Sequence, residues 1–454
     1  MLPTETFSYD EMFKRNLLGD NVGNLVYQYS ICKTLMRGGG TEFVSTRYRF
    51  NYSAEELEEL NQTCEMFVIP LANAFRKSFV AELKGLTRMV KALKMPCIVI
   101  GVGIEAPIGS ELHFPFDSEV KSFVSAVLDK SALLGVRGQI TADYLERLGF
   151  TPEKDFTVIG CPSMYMNPEI RIRDTIIDRN SETAFNISPE ASKDAITFIR
   201  DNAGRFRSAT YIPQNVADLK LMYAGIPRID KASEGFPCNI EDDVFRNAAF
   251  PGNIPGWKAF LQSKDFSFGT RLHGNIMAVL SGTPSIHISF NSRVKEVVDY
   301  HNLTQVSPED LKKARDIFGL IEKADFHAPE KRQKANFDHY VDFLNANRIR
   351  HIYLPTEKAA MNDDLIPGMA PLTAITEVSR EEGYRRVSDY GRYAEKIIAS
   401  YRKQRKEANS VKDTSKAGNK TEKTENNAGN MTGNETGDKT GKEGRRNFIR
   451  RWLE

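Results

Sequence analysis

Cysteine, the raw material of disulfide scaffolds and zinc modules, is sparse in this chain. Among 454 residues there are five, Cys32, Cys64, Cys97, Cys161 and Cys238, and they form neither a C-x-x-C pair nor any Cys/His ligand spacing. That excludes a stapled secreted domain and reads as a reduced, metal-free protein. Long apolar runs are missing too. None approaches the roughly 18 residues that a spanning helix requires, so no segment is expected to cross a bilayer. Neither sign of charge prevails: Lys and Arg number 62 against 60 Asp and Glu, a net charge of +2. So small an excess gives no global field for nucleic acid, and none is expected as a partner. Any anion site must be local. The opening residues, MLPTETFSYDEMFKR, lack a basic region followed by an apolar core, which predicts no secretory signal and a cytoplasmic protein.

What is present is an ordinary globular composition, 41% hydrophobic and 27% charged. That rules out a wholly disordered chain. At this length a single core stops growing, so two domains with extensions are expected. Residues 1–166 alternate helix and strand patterns: a helical stretch at Asn24–Met36, a strand-like TEFVSTRYRF, a capping box from Ser53 and Glu56, the strand CEMFVIP, and an amphipathic Phe79–Leu93. The continuous apolar run CIVIGVGI then predicts a strand buried on both faces. Helices at Glu119–Leu128 and Gln139–Leu148, with strands ALLGV and FTVIG, complete an N-terminal α/β domain. The polar segment 167–182 reads as a linker. A second α/β domain is expected over 183–325, with strands AFNIS, SATYIPQ, KDFSFG and SIHISF. Charged helical patterns, notably Ser379–Lys406, predict a helical extension over 326–406. From 407 to 454 the chain has almost no hydrophobe until its last ten residues, which predicts a disordered tail. That end, RRNFIRRWLE, sets Phe448, Ile449, Trp452 and Leu453 among four arginines, a pattern suited to weak contact with an anionic membrane or to a frayed terminus. Sequons at Asn419, Asn430 and Asn434 fall in this tail and read as compositional accidents.

The richest stretch is GTRLHGNIMAVLSGTPSIHISFNSRVKEV, Gly269 to Val297. A short buried strand runs into Thr270-Arg271-Leu272-His273, where the chain turns into a helix, and Gly282 and Pro284 end that helix before the next strand. The free N–H groups and positive dipole of such a helix start bind anions. In open α/β sheets this carboxyl edge is where ligands sit. Arg271 and His273 are therefore the first candidates, as anion ligand and acid–base group.

These residues, with Gly282-Thr283-Pro284 and Asn291-Ser292-Arg293-Val294-Lys295-Glu296, resemble the C-terminal signature of the polysaccharide pyruvyl transferase family. Gly19-Asp20-Asn21-Val22-Gly23-Asn24 resembles its opening. Val136-Arg137-Gly138-Gln139-Ile140-Thr141 and Gly160-Cys161-Pro162-Ser163 resemble its middle. The resemblance spans roughly residues 15–305. It implies a GT-B-like pair of doubly wound, Rossmann-like domains facing a cleft. It also implies transfer of pyruvyl from phosphoenolpyruvate to a saccharide or lipid-linked saccharide, forming a ketal, with no cofactor. On that reading Arg271 and Arg137 hold the donor, with Leu272 beside them, and His273 is the acid–base residue. Arg293 and Lys295 are candidates for the same edge, each with a solvated-helix alternative. His113 follows a domain-one strand end. Asp20 and Asn24 belong to the glycine-bearing loop, Asp20 as an acceptor base or, preferably, a helix cap. His287, inside a strand, reads as structural. Two other readings stay open: a glycosyltransferase that uses a nucleotide sugar in the same cleft, and a non-catalytic polysaccharide-assembly protein. One fold can host all of these.

Overall fold

The apolar runs become parallel strands. In the computed structural model, which describes residues 5–37, 41–46, 50–107, 109–224, 247–289, 291–355 and 365–373, two parallel sheets lie within one compact unit, Met1–Leu219 with Phe236–Ala374. A second unit, Lys220–Gly235 with Ile375–Glu454, has only Lys220–Ala224 among the described residues. The pattern at Ser379–Lys406, the tail 407–454 and Cys238 fall outside the described residues.

Helices α1 (Tyr9–Lys14), α2 (Asn24–Leu35) and α3 (Ala54–Thr63) precede the first sheet, and α3 opens with the expected reciprocal capping of Ser53 and Glu56. Strand β1 (Phe67–Pro70) leads through α4 (Val80–Ala92) to β2 (Cys97–Val102). Helix α4 buries Leu83, Leu86, Met89 and Val90. That three-and-four spacing is one helical face, and each such side chain contributes about 1.5–3 kcal/mol of burial. All six residues of β2 are buried, as the unbroken CIVIGV predicts. Helix α5 (Asp117–Leu128) then leads to β3 (Leu134–Val136), and α6 (Gln139–Arg147) to β4 (Phe156–Val158). The four strands are parallel, in the order β1-β2-β3-β4.

The second sheet starts with β5 (Glu182–Asn186), α7 (Lys193–Ala203) and β6 (Ser208–Tyr211). Helix α8 (Val216–Ala224) follows, then a two-residue β7 (Ala249–Phe250), α9 (Ile254–Gln262), β8 (Phe266–Gly269), α10 (Leu272–Leu280), β9 (Ser285–Ile288), α11 (Ser292–His301) and β10 (Gln305–Val306). Short α12 (Pro308–Lys313) and α13 (Ile317–Ile321), then α14 (Glu330–Ala346), close the helical set, and β11 (Leu372–Thr373) pairs antiparallel with β7. The parallel order is β10-β9-β8-β5-β6. The winding therefore reverses between β5 and β8, and the crevice at their carboxyl ends is the position where doubly wound sheets bind ligands. Asn186 ends one of these strands and Gly269-Thr270-Arg271 leaves the other.

One expected element is absent. Thr41–Thr46 of the strand-like TEFVSTRYRF carry no strand, and Val44 is exposed. Alternating residues form a strand only where an edge supplies backbone partners. Among the described residues none pairs there.

Candidate active site

The switch-point turn is held by side-chain amides. Asn186 Oδ1 accepts from the Arg271 N–H at 2.7 Å, and its Nδ2 donates to Asn275 Oδ1 at 3.0 Å. Asn275 Nδ2 reaches the Gly269 carbonyl at 2.9 Å and His287 Nδ1 at 2.7 Å. Because an amide NH2 can only donate, His287 carries its proton on Nε2, an atom without a partner among the described residues. Burial pushes that ring down to about 3. It is a structural histidine, as expected. Arg271 takes the N-cap position of α10 without capping it, and its Nε donates to the Ile187 carbonyl at 3.1 Å.

The N-terminal loop closes over this turn. Val22 N donates to the Gln214 carbonyl at 2.9 Å and Val216 N to the Asp20 carbonyl at 3.0 Å, tying the loop to the segment that follows β6. Gly23 then abuts the histidine: a Cβ there would stand 3.0 Å from His273 Nδ1 and 2.9 Å from Asn21 Oδ1. Only glycine leaves room for the ring. Tyr27, one turn into α2, lies 5.7 Å from the His273 ring, centroid to centroid.

The first sheet supplies the opposite wall. Arg137 follows β3, its N–H bonded to the Val102 carbonyl at 2.9 Å and its Nε to the Gly101 carbonyl at 2.6 Å. Its guanidinium carbon lies 5.6 Å from the Tyr27 ring centroid, a cation–π distance. The residue is 1% exposed, and one terminal nitrogen has no hydrogen-bond partner among the described residues. Cys161 follows β4. Its N–H donates to His301 Nε2 at 2.9 Å, its thiol to Ser163 Oγ at 3.3 Å, and its sulfur stands 3.7 Å from His273 Nε2. Burial pushes His301 down to about 3, with Arg137 adding to the effect.

Helix α11 ties the halves together. Ser292 Oγ donates to the Ala106 carbonyl and accepts the Ala106 N–H at 3.3 Å. Glu296, 3% exposed, accepts from the Thr141 N–H at 3.0 Å and from its hydroxyl at 2.9 Å, so it fills the N-terminal turn of α6. A Cβ at Gly138 would stand 2.6 Å from Glu296 Cβ. Burial pushes this carboxyl up to about 7, against the pull of Thr141 and Arg137. Arg293, one turn earlier on the same helix, acts on His273 from this side.

The electrostatic result is unusual. His273 is half-buried, and desolvation first, then Arg137, Arg293 and Arg271 in that order, hold its ring well below the usual histidine range. Arginines from both sheets thus act on one imidazole. Desolvation also lowers Arg293. Among the described residues none of Arg137, Arg271 and Arg293 forms an ion pair within 4.0 Å, and no cluster of His, Cys, Asp and Glu suits a metal. The site is a cluster of three arginines around a histidine held toward its neutral form.

Residues 77–292 match the family model described as polysaccharide pyruvyl transferase. That match covers just under half of the chain. The match contains Arg137, Cys161, Arg271 and His273 and ends one residue before Arg293, while the Gly19–Asn24 loop lies outside it. Comparison with curated proteins finds no significant match. Among solved structures, the chain is similar to an uncharacterized protein of Klebsiella pneumoniae (12% identity, 65% of this chain and 94% of that one, TM-score 0.33). It is similar to Anabaena HepE in complex with UDP (13%, 65% and 79%, TM-score 0.37) and to the UDP-GlcNAc 2-epimerase of Neisseria meningitidis bound to UDP-GlcNAc (11%, 67% and 84%, TM-score 0.38). The nucleotides belong to those proteins.

Of the residues expected in the site, His273, Arg271, Arg137 and Arg293 come together, with Leu272 half-buried at the start of α10. Lys295 does not join them. It is half-exposed and pairs with Asp299 at 2.7 Å, the solvated-helix alternative. His113 is exposed, its Nδ1 3.0 Å from Arg147, which bridges to Asp117. Asp20 is not the cap of α2; that position is Gly23. Instead Asp20 has a left-handed backbone, φ 68°, and accepts from Asn16 Nδ2 at 3.0 Å. Asn24 braces the same loop by donating to the Gly19 carbonyl at 2.9 Å. Sequence reasoning missed Tyr27, the role of Cys161 and Glu296, and three further acids around the arginines: Glu105, Glu190 and Asp218. Only Glu296 and Cys161 carried a signal, each sitting inside a motif already singled out.

Proposed function

We propose that this chain transfers a pyruvyl group from phosphoenolpyruvate to two hydroxyls of a saccharide, forming a cyclic ketal in the synthesis of a cell-surface polysaccharide. The observation that carries this reading is three arginines from two sheets around one histidine, none of them ion-paired among the described residues. Phosphoenolpyruvate presents a phosphate and a carboxylate on a three-carbon frame, about three negative charges at neutral pH. Planar guanidinium forks suit both groups. The donor also solves the histidine's problem. Its charge offsets the field of Arg137, Arg293 and Arg271, which adds to desolvation in holding the ring low, and so favours a proton on His273 when the substrate is in place. That proton goes to the methylene carbon, C2 becomes electrophilic, one acceptor hydroxyl adds, phosphate leaves, and the second hydroxyl closes the ketal.

The acceptor is a saccharide or lipid-linked saccharide, and we assign the reaction to the cytoplasm at the inner membrane face. No described helix is long and apolar enough to cross a membrane. Contact through residues 407–454 is part of the same proposal. Flotation with anionic vesicles, comparing the full chain with one ending at Lys406, tests it. The activity is tested by incubating the protein with phosphoenolpyruvate and methyl pyranosides bearing free hydroxyl pairs. Release of phosphate with a product heavier by one pyruvyl ketal supports the reading; hexose transfer from UDP-glucose in parallel reactions, with none from phosphoenolpyruvate, overturns it.

A further inference from the structure

Ketal formation needs an acceptor for the first hydroxyl proton while His273 acts as the acid. Four carboxylates surround the arginine cluster. Asp218, 0% exposed, is sealed within α8 near Arg271, and Glu296 is sealed against Thr141. Glu105 is already engaged, lying 4.0 Å from Arg76 Nε and 3.4 Å from Asn73 Nδ2. Glu190 differs from all three. It is exposed, sits within electrostatic reach of both Arg271 and Arg293, and forms no ion pair among the described residues.

Its position follows from the same turn that carries the histidine. The Ser188 N–H donates to Thr270 Oγ1 at 2.7 Å, pinning the loop after β5 to the residue before Arg271. Ser188 Oγ then donates to Glu190 Oε2 at 2.8 Å, which fixes the carboxylate. We propose that Glu190 is the base that takes the acceptor hydroxyl's proton, an assignment that rests on the pyruvyl-transfer reading. The ledger of the reaction closes with it. Protonated His273 gives its proton to the methylene carbon, which becomes the methyl group. The first hydroxyl oxygen bonds to C2 and its proton passes to Glu190. The bond from C2 to the phosphate oxygen breaks with its electron pair, and the departing phosphate takes the proton from Glu190. The second hydroxyl then bonds to C2 and its proton restores His273. A weakly basic carboxylate is sufficient, because a hydroxyl bonding to a cationic carbon becomes strongly acidic.

The test is Glu190→Gln, with Glu190→Asp as the partial rescue and melting temperature as the check on folding. Phosphoenolpyruvate binding is measured by calorimetry, and phosphate release is followed with the methyl pyranoside that the parent protein turns over, or with water as acceptor if none is used. Removing a negative charge beside two donor-binding arginines should tighten phosphoenolpyruvate by about two- to tenfold. Turnover should fall about a hundredfold or more. Tighter binding with undiminished turnover would overturn the base assignment and leave the donor site standing. Unchanged or weaker binding would remove Glu190 from the donor's field and end the assignment. A parent protein that does not bind phosphoenolpyruvate at all removes the donor reading, and the assignment falls with it.

Discussion

Replacing Glu296 with Gln should change how stability depends on pH, by an amount the structure sets. The carboxyl is pushed up to about 7 from an ordinary 4.5. Below pH 4.5 it is neutral in both folded and unfolded chains. As the pH rises from 4.5 towards 7 the unfolded chain ionises first, and the folded protein must either keep a proton it would otherwise release or bury a charge. Two to three pKa units correspond to about 3 kcal/mol of stability that is present in acid and absent above neutrality. Glutamine removes this titration. Its amide presents one donor and one acceptor, as the protonated carboxyl does, and Thr141 Oγ1, which accepts the Ile104 N–H at 3.0 Å, keeps a second lone pair. The variant should therefore match its parent at pH 4.5 to within about 1 kcal/mol and be more stable at pH 8. Urea unfolding at four pH values between these limits measures it. Taking the difference between the two proteins cancels Asp218 and the buried histidines, which titrate alike in both. A difference that stays constant across the range would refute the reasoning, since it would mean that Glu296 ionises in place without penalty.

Three further outcomes follow from the site. His273→Ala should lower turnover by about two to four orders of magnitude while phosphoenolpyruvate still binds, as initial rates and calorimetry will distinguish. Arg271→Lys should weaken the donor about ten- to a hundredfold, because a point charge replaces a fork, and a titration of phosphoenolpyruvate checks it. Gly23→Ala should displace the His273 ring, given the 3.0 Å approach to its Nδ1, and cut turnover more than it cuts stability, which paired rates and melting temperatures resolve.

Much of this was legible in the chain, for identifiable reasons. CIVIGV is apolar without interruption, so a buried parallel strand is the economical reading, and β2 is one. Gly282 and Pro284 mark the end of α10 by chemistry that no tertiary contact overrides. Arg271, His273 and Arg137 each follow a strand, and the carboxyl edge brought them together. Helix phase explains the failure of Lys295. Arg293 and Glu296 are three apart and share a face, whereas Lys295 lies between them in sequence, turns outward and meets Asp299 four residues on. Contacts between distant segments left no local trace. Nothing near Gly23 announces a histidine 250 residues later. Glu190 sits in a polar loop whose place is fixed only by Ser188 and Thr270. The strand-like TEFVSTRYRF failed for the converse reason: its pattern is local, and a strand needs a partner.

We propose that three arginines, none ion-paired among the described residues, make one site for phosphoenolpyruvate. Calorimetric titration of the full chain with phosphoenolpyruvate, repeated on Arg137→Lys, Arg271→Lys and Arg293→Lys and against UDP-glucose, decides this. Phosphoenolpyruvate should bind saturably and one-to-one, weakened by each substitution and steeply by salt, with UDP-glucose binding weakly or not at all. Binding of UDP-glucose in preference, or phosphoenolpyruvate affinity indifferent to all three substitutions, would contradict it.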